Sequence, residues 1–372
     1  MKISINKSDI VDVLSKVQGL TGRKSNLAIT ECVLIKALDN GIKLAATDLE
    51  TGFEGSYPAE IQTPGSVAVN ARKFFEIMRE FPSQNILINE IENRWIEIGN
   101  KNVQYHIVGM NPDDFPDSPY IEEVDFSEID SATLRKMIER SVLISGAGDD
   151  KRAHINGVYL ESYQQNGKTH VRMVSTDGSR LSRVNNMLTQ GPDLATGENI
   201  LIPKKGLNEV AKFLDAPGIV QMGVKGSYFI VKKETETIII RLLEGSFPKY
   251  EEILNKDQHI AIKINKNLFS KMLKRMSILS SDNYKGAVFS FKPEQMEITA
   301  TNPDIGESKE DMQIDYEGDR IEAAFNTRFF IDSLNVMEDE EILIYILNEE
   351  KPCLIEGTLD KSYLSVIMPM RI

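Results

Sequence analysis

The stretch Val171–Leu181, VRMVSTDGSRL, decides how the chain is read. Val171, Met173 and Val174 are apolar or β-branched and predict a strand. Asp177-Gly178 then supplies a turn pair in which glycine is free to take positive φ. The pattern occurs twice more, as KLAATDLET over Lys43–Thr51 and MEITATNPD over Met296–Asp304. Each copy is a short strand ending in Thr-Asp or Thr-Asn. Successive copies lie roughly 125–130 residues apart, about one domain length. The chain therefore reads as a threefold repeat, with Thr176–Leu181 marking the middle unit.

Reading outward, each unit has the same order of elements: strand, helix, strands, helix, strands. In the first, strand Lys2–Ile5 leads through a capping Asn6 into a helix with Ile10, Val13, Leu14 and Val17 on one face. Strands follow over Val33–Leu38, Ile42–Ala46 and Thr51–Ile61. A second helix starts near Asn70, with Phe74, Ile77, Met78 and Phe81 inward. In the second unit Ser131 caps a helix carrying Leu134, Met137, Ile138 and Val142, and another helix follows Pro203. In the third, helices follow Asn265 and Asn326. Pro- and Asp-rich Asn111–Tyr120 and the segment Phe247–Asp257 read as linkers, giving domains 1–121, 122–253 and 254–372. Paired helices on mainly antiparallel sheet make an α+β fold. Neither βαβ alternation nor G-x-G-x-x-G is present, which argues against a doubly wound nucleotide fold.

Composition narrows the class. Hydrophobic content of 41% and charged content of 27% suit a soluble globular protein. No apolar run approaches the roughly 20 residues that cross a bilayer, and MKISINKSD is too polar for a signal peptide. Cys32 and Cys353 stand far apart and give no disulfide framework, so a cytoplasmic location without a membrane partner is expected. The net charge of −13 argues against a surface that attracts nucleic acid everywhere, but leaves room for a local basic face.

No catalytic constellation emerges, and no cofactor or metal is implied. His106, His154, His170 and His259 are scattered without metal spacing, and neither G-x-S-x-G nor a Walker loop is present. Asp113-Asp114 and Glu338–Glu341 read as solvated loop charges. A hydrolase or transferase would have to use Asp113, Asp114 or Asp177. Asp177, however, is explained by its turn, and its third-unit equivalent is the amide Asn302.

Basic residues are more informative. Lys271, Lys274 and Arg275 lie opposite the apolar face of their helix, as do Lys136 and Arg140 on theirs. The second helices add Arg72, Lys73 and Arg79, then Lys204, Lys205 and Lys212, then Arg328. Each basic stripe reads either as a solvated helix face or, given its recurrence across the repeats, as a helix presented to a phosphate backbone. The apolar tail Val366–Met370 reads either as a final strand or as an adaptable methionine-rich pocket wall.

Three units, T-D-G-S-R-L at Thr176–Leu181, F-P-K-Y at Phe247–Tyr250 and M-P-M-R-I at Met368–Ile372 together resemble one family across the whole chain. It is the bacterial sliding clamp, the beta subunit of DNA polymerase III, with Thr47-Asp48-Leu49-Glu50 and Ala71–Phe75 as supporting matches. The resemblance implies a head-to-tail homodimer closed around double-stranded DNA, helices inward, held by topology rather than by sequence-specific contacts. It implies a non-catalytic processivity factor that tethers the polymerase near its template. A monomeric DNA-binding scaffold is the alternative.

The same resemblance assigns residues. A peptide pocket would use Ile155, Thr176, Gly178, Ser179, Arg180, Leu181, Pro248, Ile253, Val366, Met368, Pro369, Met370 and Arg371. It would receive peptides with a Gln and a Leu-Phe-like end from the DNA polymerase III alpha subunit, the clamp loader, other polymerases and repair proteins. DNA would meet Arg23, Lys24, Arg72, Lys73, Lys136, Arg140, His154, Lys204, Lys205, Lys271, Lys274 and Arg275. Ile278 and Leu279 of one copy would meet Tyr105 of the other. Tyr105 replaces a family Phe, Ser179 a common His, Ile155 a Leu, and Glu252 an Arg at the pocket rim. Ala153 and His154 stand where an aromatic pair can occur, which implies weaker stacking on single strands.

Overall fold

The computed structural model describes residues 1–21, 27–38, 40–119, 123–144, 152–192, 194, 199–279 and 286–371. Its helices are α1 (Lys7–Thr21), α2 (Ala71–Glu80), α3 (Ser131–Val142), α4 (Ala153–Asn156), α5 (Lys204–Phe213), α6 (Lys266–Met276) and α7 (Thr327–Asn335). Contacts divide the chain into two compact units: the first repeat with part of the second, and the rest of the second with the third. This follows from the sheets, because the strands of the second repeat are divided between two eight-stranded sheets.

In the unit that holds the first repeat, Lys2–Asn6 belongs to a five-stranded sheet that ends on Gln104–Val108. The eight-stranded sheet joins first-repeat strands to second-repeat strands by pairing Thr51–Tyr57 with Glu236–Arg241, Phe53 opposite Ile238. In the other unit, Arg180–Met187 of the second repeat pairs with Tyr363–Ile367 of the third, Leu181 opposite Val366. A four-stranded sheet, ending on Gly306–Gln313 at one side and Ile321–Asn326 at the other, completes the third repeat. The strand pairings are antiparallel, as an α+β repeat requires.

The helices bury the faces their spacing indicates. Ile10, Val13, Leu14 and Val17 of α1 are buried, as are Phe269, Met272 and Leu273 of α6. Phe330 of α7 stacks on Phe289 at 5.0 Å and meets Phe269 edge-on at 5.9 Å. Asparagine caps recur: Asn70 accepts from the Lys73 amide, Asn265 from Leu268 and Asn326 from Arg328, each at 3.0 Å. Two local readings change. The cap of α3 is Asp130, which accepts from the Thr133 amide at 2.9 Å, rather than Ser131, the helix's first residue. Thr51–Ile61 is not one strand: it breaks beyond Tyr57 at Pro58, which lacks an amide donor, and Glu60–Thr63 joins the other sheet.

Candidate peptide pocket and nucleic-acid face

The repeated Thr-Asp and Thr-Asn ends each place a side-chain oxygen under the following turn, and the first two turns are closed in the same way. Asp48 Oδ1 accepts from the Glu50 and Thr51 amides at 3.1 and 2.7 Å. Asp177 Oδ1 accepts from Ser179 and Arg180 at 2.9 and 3.0 Å, and Asn302 Oδ1 from Asp304 at 3.1 Å. Thr47 and Thr176 close the same loop by donating to the carbonyls of Thr51 and Arg180, at 3.1 and 2.8 Å. Gly178 sits in the left-handed region at φ 89°. Asp177 Oδ2 accepts from Arg180 Nε at 3.0 Å, so its carboxylate is engaged by the turn on both oxygens. An amide serves equally well at Asn302, and this is a structural role, not an acid–base one.

That turn carries Thr176–Leu181 to the end of a mostly apolar sheet face. Val174, Leu181, Leu354, Leu364, Val366 and Tyr250 form one buried cluster, with Ile253 and Phe247 at its margin. Arg180 is 7% exposed. It pairs with Asp332 at 2.7 Å as well as with Asp177, and lies 4.3 Å over the Phe329 ring. The tail combines both sequence readings. Val366 lies within strand Tyr363–Ile367, fully buried, while Met368 leaves the sheet and donates its amide to Ser179 O at 2.9 Å. The Met370 amide bonds Ala324 O at 2.7 Å, and its side chain is exposed. Ile155, inside α4, is fully buried and can only back a pocket, not line its mouth.

The linker residues Phe247–Tyr250 seal one side of this face. Phe247 stacks on Tyr159 with ring centres 5.2 Å apart, and Tyr250 meets both rings edge-on. The Tyr250 hydroxyl donates to Glu161 Oε1 at 2.6 Å, and Arg172 Nη1 reaches the same oxygen at 2.8 Å. Burial, reinforced by Glu161, pushes the Tyr250 pKa well above its ordinary value and keeps it a donor. Phe329, Asp332, Glu161 and Arg172 were not legible as site residues. Only Phe329 and Asp332 leave a signal, at i and i+3 on the partly exposed side of α7.

The basic residues divide into several groups. Arg23 and Lys24 lie outside the described residues. Lys271 and Lys274 are exposed on α6, while Arg275 beside them forms an ion pair with Glu310. Arg72 and Lys73 are exposed and share Glu76 at 3.1 and 2.8 Å. Lys205 pairs with Asp48 at 2.5 Å, and Lys136 with Glu338 at 2.8 Å. His154 is half-buried in α4. Two assignments are corrected. Arg140 is 2% exposed and binds Asp360 and Ser362 at 2.8 and 2.9 Å, which makes it a tether within the fold. Lys204 is 9% exposed at the start of α5 and is equally withdrawn.

Exposed apolar side chains stand on an outer strand of the first repeat and on the turn Ser277–Leu279 after α6 in the third. Tyr105 and Val108 are exposed on edge strand Gln104–Val108. In the third repeat Ile278 is 74% exposed, next to Leu279, whose carbonyl accepts from Asn302 Nδ2 at 2.8 Å.

Residues 1–119, 128–249 and 251–371 match, in order, the N-terminal, central and C-terminal domains of the DNA polymerase III beta subunit. The chain is 29% identical over 384 residues to the beta sliding clamp of Vibrio cholerae, with both chains covered in full. It is 27% identical over 379 residues to that of Escherichia coli, again over both full lengths. A solved DNA polymerase III beta subunit from Eubacterium rectale aligns over the whole of both chains at 27% identity, with a TM-score of 0.91. Matched domain by domain and over its full length, the chain belongs to the DNA polymerase III beta-subunit family, the beta sliding clamps, which are non-catalytic processivity subunits.

Proposed function

We propose that two copies of this sliding clamp close head to tail into a ring around duplex DNA, and that the ring tethers a polymerase through short peptides seated at the Leu181–Val366 face. The observation that carries the reading is sheet continuity. Strands of the first repeat run on into the second at Phe53–Ile238, and strands of the second run on into the third at Leu181–Val366. Among the described residues, Gln104–Val108 in the first repeat and Gly306–Gln313 in the third are outer strands with one edge unpaired. Free edges invite pairing, and a heterologous contact that repeats the internal junctions closes a ring. Tyr105, Ile278 and Leu279 supply the apolar contacts of that junction.

The domains run over 1–121, 122–253 and 254–372. In one unit Lys271, Lys274, Arg275 and Lys136, and in the other Arg72, Lys73 and Lys205, supply DNA with cationic contacts without base readout. Arg23, Lys24 and His154 join them. Partners are the DNA polymerase III alpha subunit, the clamp loader, and other polymerases and repair proteins. Their peptides meet Thr176, Gly178, Ser179, Arg180, Leu181, Pro248 and Ile253 on one side and Met368, Pro369, Met370 and Arg371 on the other. A cytoplasmic location fits replication. Sedimentation equilibrium tests ring closure: about twice the chain mass is expected, and a monomer at micromolar concentration would contradict it.

A further inference from the structure

The three repeats carry the same diagonal of charge on the sheet face turned away from the helices. Four residues before the turn threonine stands one member. The other faces, across the next strand, the residue two before that threonine. In the first repeat these are Lys43 and Glu54, with Ala45 opposite Glu54, and they form an ion pair. In the third they are Glu297 and Lys309, with Thr299 opposite Lys309, paired at 3.0 Å. In the second they are Arg172 and Arg183, with Val174 opposite Arg183. Two repeats neutralise the diagonal within themselves, and the middle repeat sets two like charges there.

Arg172 is neutralised by Glu161 from the neighbouring strand. Arg183 is not neutralised. Among the described residues its guanidinium has no hydrogen bond or ion pair, and its Nε is buried without an acceptor. Glu356, two strands away across Leu364, is already taken by Lys256 at 2.5 Å, Lys361 at 2.8 Å and the Tyr345 hydroxyl at 2.7 Å. This part of the face therefore holds Arg172, Arg183, Lys256 and Lys361 against Glu161 and Glu356. Burial, and then the charge of Arg172, push the Arg183 pKa below the ordinary guanidinium range, so the cation is held at a cost. Glu251, on the nearby linker turn, instead accepts from the Tyr250 amide at 3.1 Å.

Side chains two apart on a strand share a face, so Arg183 lies about 7 Å beyond Leu181. Ser182 between them turns the other way and donates to Arg140 O of α3. We propose that Arg183 is a carboxylate-recognising subsite at the end of the peptide pocket. A partner segment whose apolar end seats over the cluster that Leu181 and Val366 back from within sets a carboxylate against this guanidinium. The carboxylate is either the segment's own chain terminus or an acidic side chain following the apolar end. The inference rests on the pocket reading above and names a chemistry that this reading leaves open. A charge-assisted bond to a desolvated guanidinium is the strong kind, and a bidentate one also fixes orientation.

The test uses three dye-labelled peptides with a Gln and a Leu-Phe end: one with a free terminal carboxylate, one amidated, and one amidated after an added Glu. Anisotropy titrations on the full chain should show at least one carboxylate peptide binding about tenfold tighter than the amide. Which of the two gains identifies the source of the carboxylate. Arg183→Met, which keeps the aliphatic stem, should close that gap. Equal binding of all three peptides would overturn the subsite and leave the pocket. Failure of every peptide to bind would overturn the pocket reading and the subsite with it. A uniform loss with Arg183→Met across all three peptides would make Arg183 structural and overturn the subsite.

Discussion

The hydroxyl of Tyr250 lies 2.6 Å from Glu161 Oε1, and this bond ties the linker after the second repeat to strand Gly157–Gln165. Pro248 and Ile253 flank Tyr250, so the bond sets where one wall of the pocket stands. Tyr250→Phe keeps the ring contacts with Tyr159 and Phe247 and removes only the hydroxyl. It is expected to cost about 1 kcal/mol in urea unfolding and to weaken pocket peptides several-fold. Unchanged peptide affinity would mean that the wall is held by packing alone.

Asp360 gives the fold a defined acid limit. Burial pushes its carboxyl up, but the Ser362 hydroxyl and the Arg140 guanidinium outweigh that and hold it well below the usual carboxylate range. A depressed folded-state pKa contributes stability above the unfolded value of about 3.9, and the contribution is lost as pH falls through the folded value. Asp360→Asn should destabilise by about 3 kcal/mol at pH 7, because buried Arg140 loses its counter-charge. The gap between wild type and variant should begin to narrow below about pH 4 and go on narrowing as pH falls towards the folded-state value. A constant gap from pH 7 to pH 3 would remove Asp360 as the group responsible.

Lys271 and Lys274 are exposed on α6, and neither forms an ion pair among the described residues. Replacing both with alanine should weaken DNA association and lower the slope of log K against log salt by about 1–2. The fold should tolerate it, since Phe269, Met272 and Leu273 hold the other face. An unchanged slope would make these lysines ordinary solvated charges.

Truncation of the tail should act at two levels. Removal of the chain from Met368 onward leaves strand Tyr363–Ile367 in place, and should abolish polymerase stimulation while preserving the dimer. Removal from Val366 onward cuts a strand paired on both sides, and should destabilise the sheet itself. Dimer loss with the shorter truncation would put the pocket in the wrong place.

What was legible follows from how local the chemistry is. The Thr-Asp turns, the asparagine caps and the helix faces were readable because each depends on residues within one turn of chain. Arg140 was not. Its spacing from Lys136 marks a solvent-facing stripe, but its partner Asp360 lies 220 residues away. The apolar pattern runs on past Pro58, so the sequence reads Thr51–Ile61 as one strand where the chain crosses into another sheet. The pocket was readable through its motifs alone. Glu161, Arg172 and Phe329, which hold it, are set by strand register and helix packing. Arg183 differs from its counterparts Glu54 and Lys309 only in lacking an opposite charge on its diagonal, which depends on strand register.

The central claim is topological linkage, and retention on circular DNA tests it most directly. Clamp loaded onto nicked circles should stay bound through gel filtration and be released once the circle is linearised. Equal release from circle and linear DNA would contradict a closed ring and leave ordinary contact binding as the explanation.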